Sequence, residues 1–381
     1  MKFGTKAVHA GVDPDPSTGA IMTPIFQTST YVQPAPGQHK GFEYARAHNP
    51  TRNALQAALA ALENGTDGIA FASGMAATDA VMKLLGVGEE VVSTNDLYGG
   101  TYRIFTSIYE PFGVKFKFIG MQSAADVEAA ISPATRLVWI ETPTNPLMNI
   151  IDIRGIAEVC RAQGVHLVVD NTFSSPYLQN PLDLGADLVL HSITKFINGH
   201  SDVVMGAIVV KDTVLAERLR FIQNASGAIP GPQDCFLTLR GMKTLHLRMR
   251  QHCENGREIA TFLRAQSNVK KVNWPGFEDH PNHQIAKKQM KDFGGMLSFT
   301  LKGDRIEDAM KVLKNTQLFA LAESLGGVES LIGHPATMTH ASIPKHIRDK
   351  TGLEDTLIRL SVGIEDAEDL KADLAAALES V

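Results

Sequence analysis

Two kinds of apolar pattern alternate along most of the chain: positions three and four residues apart, and short unbroken runs. Within residues 53–64, Leu55, Ala58, Leu59 and Leu62 share one helical face. The apolar run 68–72 then meets Ser73-Gly74, and residues 75–85 again read as helix. Residues 90–93 are strand-like, and 137–140 form an apolar strand ahead of Pro143 and Pro146. Residues 153–163 predict a helix that Gly164 ends, and 165–169, 187–190 and 206–210 predict further strands. Short unbroken strands between helices predict a mostly parallel sheet covered on both faces.

The texture differs at both ends. Pro14, Pro16, Pro24, Pro34 and Pro36, with Gly19, Gly37 and Gly41, make residues 1–45 read as an irregular arm that cannot fold alone. Beyond Leu245 a charged helical stretch (248–265) precedes strands at 269–272 and 296–300 and helices at 306–313 and 365–378. The expected organisation is an arm over 1–45, a large α/β domain over 46–245 and a smaller C-terminal α+β domain over 246–381.

Composition excludes several function classes. Among 381 residues, 36 Lys and Arg stand against 41 Asp and Glu, a net charge of −5 that offers nucleic acid no basic surface. Cys160, Cys235 and Cys253 are odd in number and far apart, so they give neither a disulfide framework nor a metal spacing. They read as buried thiols in a reducing compartment. The first residues lack the apolar run of a signal peptide, and no stretch approaches the roughly 18–20 apolar residues of a membrane span. A cytoplasmic protein without membrane contact is expected.

Four clusters sit where strands end, the edge at which open parallel sheets bind ligands. Ser73-Gly74-Met75 can turn backbone N–H groups toward an anion, although an ordinary strand–helix turn looks the same. Asp170-Asn171-Thr172 places a carboxylate at the sheet mouth, either to keep a ring nitrogen protonated or to cap a turn. Ser192-Ile193-Thr194-Lys195 sets two hydroxyls and an amine within one turn. The hydroxyls suit a phosphate, and a partly buried lysine amine with a lowered pKa can form an imine. Thr142-Pro143-Thr144-Asn145-Pro146 is a stiff loop with an amide that could hold a planar ligand, or simply a rigid turn.

In this order the clusters resemble the pyridoxal-phosphate enzymes of cysteine and methionine metabolism, the cystathionine γ-synthase and γ-lyase family, over essentially the whole chain. The same likeness runs through Phe42 to Arg46, Asn49-Pro50-Thr51-Arg52, Asp96 to Thr101, Glu141 to Pro146, Asn198 to Val203, Ala322 to Gly327 and Met338 to Ala341. It implies the fold type I, aspartate-aminotransferase-like architecture and pyridoxal 5'-phosphate as cofactor. Lys195 would be the imine lysine and proton shuttle, Asp170 would pair with the ring nitrogen, and Tyr98 would stack on the ring. Gly74, Met75, Ser192 and Thr194 would hold the phosphate, joined by Tyr44 and Arg46 from a neighbouring subunit. Asn145 would touch the ring hydroxyl side, and Ser324 and Arg359 would take the substrate α-carboxylate. No metal is implied. Shared active sites imply at least a dimer, and the family a homotetramer built from two dimers.

The implied reaction is γ-elimination from cystathionine to cysteine, 2-oxobutyrate and ammonia, with side β-elimination that releases hydrogen sulfide from cysteine. The alternative joins an O-acylhomoserine to cysteine on the same machinery. Gly100 stands where methionine γ-lyases resembling this chain carry cysteine, which argues against that activity. Glu323 ahead of Ser324 suits γ-lyase and γ-synthase alike, and His48 departs from the glycine common at its place, a departure that leans toward γ-lyase. Arg103 could meet the distal end of cystathionine or form a structural ion pair. A nucleotide-binding dehydrogenase would share the sheet pattern, but no G-x-G-x-x-G follows a strand.

Overall fold

The computed structural model describes residues 1–303, 305–341 and 343–381. Its first sheet has seven strands: β1 (Asp67–Phe71), β2 (Glu90–Thr94), β3 (Lys115–Ile119), β4 (Thr135–Glu141), β5 (His166–Asp170), β6 (Leu188–Ser192) and β7 (Gly206–Val210). They lie in the order β1-β7-β6-β5-β4-β2-β3. All neighbours are parallel except around β7, which runs antiparallel to both β6 and β1. The central strands are buried over most of their length, as Val91, Val138, Val168 and Val189 show, because helices cover both faces, and only Arg136 and His166 near the amino ends of β4 and β5 are exposed.

A second sheet holds β8 (Val269–Asn273), β9 (Met296–Leu301), β10 (Ala320–Leu321), β11 (Leu331–Gly333) and β12 (Leu357–Ser361), in the order β10-β11-β12-β9-β8. It packs with helices Leu245–Arg264, Ile306–Asn315 and Ala367–Leu378 around Phe299, Ile358 and Leu374. A mostly parallel sheet followed by a smaller mixed one is the α/β class that the apolar pattern predicts.

The sequence reading also leaves out helices Thr213–Ser226 and Pro232–Met242 and strands β10, β11 and β12, and two further details depart from it. The first 45 residues are not wholly irregular, because Phe3–His9 forms a helix. The prolines begin only at Pro14, so nothing prevents it. Ala7 joins the core, Phe3 meets Tyr177 edge-on at 5.2 Å, and Lys6 Nζ donates to the Ala61 carbonyl at 3.2 Å. Strand β3 was not expected. Its Lys115-Phe116-Lys117-Phe118 alternation suits an edge strand, where lysines also deter pairing with other chains.

Candidate active site

The carboxyl ends of β2, β4, β5 and β6 open on a cavity of about 380 Å³, closed on the far side by Glu323, Ser324 and Arg359. Glu141, Asp170 and Ser192 are the last residues of β4, β5 and β6, and Glu141 and Asp170 stand opposite one another in register. Strand ends therefore aim three polar side chains into one space.

One wall is an anion cradle. Ser73 caps helix Gly74–Met82, its Oγ accepting from Ala76 N at 3.0 Å. The N–H groups of the first turn face the cavity, since Gly74 and Met75 line it. Gly74 fits closely there: a Cβ would lie 3.1 Å from Ser192 Cβ, so a larger residue would push Ser192 back. Thr194 also lines this wall, with its hydroxyl accepting from Met205 N at 3.0 Å.

Lys195 follows β6 by three residues and turns into the cavity, where its Nζ donates to Ser324 Oγ at 2.8 Å. Burial, reinforced by the positive charge of Arg359 and opposed by Glu323, lowers its pKa from the usual 10.5 to about 8. Asp170 has one oxygen occupied: Oδ1 accepts from Thr172 N at 3.0 Å and Thr172 Oγ1 at 2.5 Å. Burial raises its pKa, with the Thr172 hydrogen bonds opposing, and Glu141 is raised well above the carboxylate range by burial and then by the charge of Asp170. A cationic ring nitrogen beside Asp170 would relieve that strain.

Arg359, in the middle of β12, is buried. Its Nη1 donates to Asn145 Oδ1 at 3.1 Å and its Nη2 to the Ser324 carbonyl at 3.0 Å. Both acceptors are neutral, and among the described residues no carboxylate lies within ion-pair distance. Burial lowers the guanidinium pKa to about 10. A buried cation without an anion is costly, so the site is built for an incoming carboxylate. Ser324 holds φ at 145°, a conformation uncommon outside glycine.

Of the residues singled out from sequence, Gly74, Met75, Tyr98, Asn145, Asp170, Ser192, Thr194, Lys195, Glu323, Ser324 and Arg359 line this cavity. Tyr44 and Arg46 do not. They sit on a separate open depression, where Arg46 Nε donates to Asn224 Oδ1 at 3.1 Å. Arg103 is exposed on helix Gly99–Ile104 and does not line the cavity. Sequence reasoning passed over Thr172 and Glu141 as site residues. The hydroxyl two places after Asp170 is a local side-chain-to-backbone spacing that could have signalled the first. A carboxylate closing an apolar strand in register with another was the available sign for the second.

Phosphate oxygens would meet helix N–H groups and the Ser192 hydroxyl. A protonated ring nitrogen would meet Asp170, and an aldehyde a partly uncharged amine. The donor set thus fits pyridoxal phosphate. A family model described as Cys/Met metabolism PLP-dependent enzyme matches residues 4–379. The chain belongs to this family. Its cofactor is pyridoxal 5'-phosphate, and its substrate is a small-molecule amino acid. The chain is 52% identical over 379 residues to a cystathionine γ-lyase of Dictyostelium discoideum, covering 99% of this chain and 98% of that protein. It is also 52% identical over 376 residues to a cystathionine β-lyase of Coxiella burnetii, covering 98% and 97%. A solved cystathionine γ-lyase from Lactobacillus plantarum complexed with L-serine superposes with a TM-score of 0.97 at 46% identity, covering 100% of this chain and 99% of that one.

Proposed function

We propose that this chain is a cystathionine γ-lyase, converting cystathionine and water to cysteine, 2-oxobutyrate and ammonia. The observation that carries the reading is the meeting of a lysine amine lowered to about pKa 8 with an anion-free buried guanidinium in one cavity. Several relatives at about half identity over their full length bear the γ-lyase name.

When bound, pyridoxal phosphate supplies an electron sink for the charge that develops on the substrate α-carbon. Gly74, Met75, Ser192 and Thr194 would hold its phosphate, Tyr98 would cover its ring, Asn145 would reach its hydroxyl side, and Asp170 would hold a proton on its nitrogen. Arg359, with Ser324, grips the substrate α-carboxylate and fixes which bond faces Lys195. Lys195 Nζ takes the α-proton as base and returns a proton at the next step, work suited to an amine poised near neutrality. Glu323 borders the part of the cavity nearest Lys195 and would face the substrate's distal arm.

We further propose domains over 46–245 and 246–381, and an arm over 1–45 that packs on a neighbouring subunit. Tyr44 and Arg46, exposed and away from this cavity, suit the neighbour's phosphate site, and we propose with them a homotetramer of two such dimers. The three buried free cysteines suit a cytoplasmic location, and among the described residues no helix is long and apolar enough to cross a membrane. The relative named β-lyase at equal identity keeps β-elimination as a second reading. Joining an O-acylhomoserine to cysteine is a third.

The decisive experiment supplies cystathionine, cysteine, methionine, and O-acylhomoserine with cysteine in parallel and compares kcat/KM. The expected result is the highest value for cystathionine with 2-oxobutyrate as the keto product. Pyruvate as the main product, or faster condensation, would overturn the γ-lyase reading. Sedimentation of a fully active monomer would overturn the shared site.

A further inference from the structure

Two buried carboxyls near the cavity have no part in the mechanism above. Asp96 lies two residues past β2 and two before Tyr98. Glu141 closes β4, four residues before Asn145. Each reaches across to the other's loop. Asp96 Oδ2 accepts from the Thr144 hydroxyl and from Asn149 Nδ2 at 3.1 Å, and the Leu147 N–H also donates to Asp96. In the opposite direction Glu141 Oε2 accepts from Tyr98 N at 3.0 Å. The Thr144 hydroxyl in turn accepts from Asn149 N at 2.8 Å, so the Asp96 contact also shapes the turn.

Neither carboxyl has a lysine or arginine within ion-pair distance among the described residues, and both are buried. Burial without a cation is costly. Their hydrogen bonds join two loops and little else. Those loops end in the side chains assigned to the cofactor ring: Tyr98 to its face and Asn145 to its edge. The Asn145 loop is also held from behind, where Ser298 Oγ donates to the Pro146 carbonyl at 2.8 Å and His340 Nε2 to the Asn145 carbonyl at 3.0 Å. The Tyr98 loop has fewer such props: the same His340 also bonds the Leu97 backbone, but Tyr98 itself is more than a third exposed, and Glu141 is the acceptor of its amide.

We infer that Asp96 and Glu141 form a reciprocal latch that fixes the Tyr98 loop to the Asn145 loop and so sets the pose of the cofactor ring. Both are positioning residues. The inference rests on Tyr98 and Asn145 as ring contacts, and the experiment separates the two claims.

Visible circular dichroism of the bound cofactor reports ring pose, and is read with cofactor affinity, kcat, KM and the melting of cofactor-free protein. Glu141→Gln keeps an acceptor for Tyr98 N and should leave the dichroism intact and kcat within about threefold of the parent. Glu141→Met removes it. The expected result is weakened dichroism and kcat lower by about tenfold or more, since small misplacements at a reacting centre are that expensive. Cofactor-free melting should shift little. Thr144→Val removes one donor to Asp96 without altering the cavity, and should change dichroism in the same sense if Glu141→Met does not fold. Unchanged dichroism in Thr144→Val and in folded Glu141→Met, or lower melting with normal dichroism, would overturn the latch. Tyr98→Ala is the control: if it too leaves the dichroism unchanged, the assignment of Tyr98 to the ring fails instead.

Discussion

The lowered pKa of Lys195 makes a quantitative demand on how the protein captures its cofactor. With a pKa of about 8, near one in ten Lys195 amines is uncharged at pH 7, whereas an ordinary lysine at 10.5 would offer about one in three thousand. Cofactor-free protein should therefore bind pyridoxal phosphate covalently faster at pH 7 than an ordinary lysine allows, by at most about 300-fold because the less basic amine is also the weaker nucleophile. The rate should rise with a midpoint near pH 8 and level off above it. Stopped-flow absorbance of the bound cofactor measures this directly. Arg359→Gln supplies the internal check. Removing the neighbouring positive charge weakens one cause of the shift, so the midpoint should move up toward 10.5, while burial, the larger cause, keeps it below that value. A rate still climbing past pH 10 in the parent protein, or a downward move in Arg359→Gln, would refute the account.

Other substitutions test the cavity and its frame. A Cβ at Gly100 would lie 2.3 Å from Tyr98 Cε1, so Gly100→Ala should displace the ring and lower kcat by about ten- to a hundredfold, with KM and melting moving less. Arg359→Lys keeps charge but loses the planar fork, and steady-state kinetics should show KM for cystathionine raised by about 10- to 100-fold, as expected for a lost charge-assisted pair. Asn49 accepts from Thr51 N and Arg52 N at the start of helix Pro50–Leu62 and donates to the Phe26 carbonyl. Urea unfolding of Asn49→Ala should register a loss of about 1–2 kcal/mol.

Much of this architecture was legible because buried parallel strands write themselves as apolar runs. Residues 153–163 and 206–210 could be bounded to the residue, since Gly164 ends the first at φ 65° and the second is buried on both faces. Strand β3 escaped because an edge strand exposes one face, and its alternating lysines break the run. Helix Phe3–His9 escaped because only its docking on helices Pro50–Leu62 and Leu245–Arg264 makes seven residues stable as helix. In the site, residues whose chemistry is their own, such as Lys195 and Asp170, were visible. Thr172 and Glu141 were not, because their importance lies in what they touch.

The same distinction explains why the reaction outcome is harder to read than the cofactor. In the proposed mechanism, γ-elimination and β-elimination would both begin with proton removal by Lys195 and need the same grip on the α-carboxylate. They part at the second proton transfer. For the γ-substituent to leave, the amine must also serve the β-carbon, so Lys195 has to reach two adjacent carbons of a fixed substrate. In the structure its Nζ is held by Ser324 Oγ at 2.8 Å, and the carbonyl of the same residue accepts from Arg359. One strained residue thus sets the distance between the base and the carboxylate grip. On the proposed mechanism, reaction choice would turn on that distance and on the room beside Glu323 for a second carbon to approach the amine. Both are properties of backbone placement that no residue type declares, and chains about half identical to this one bear either lyase name.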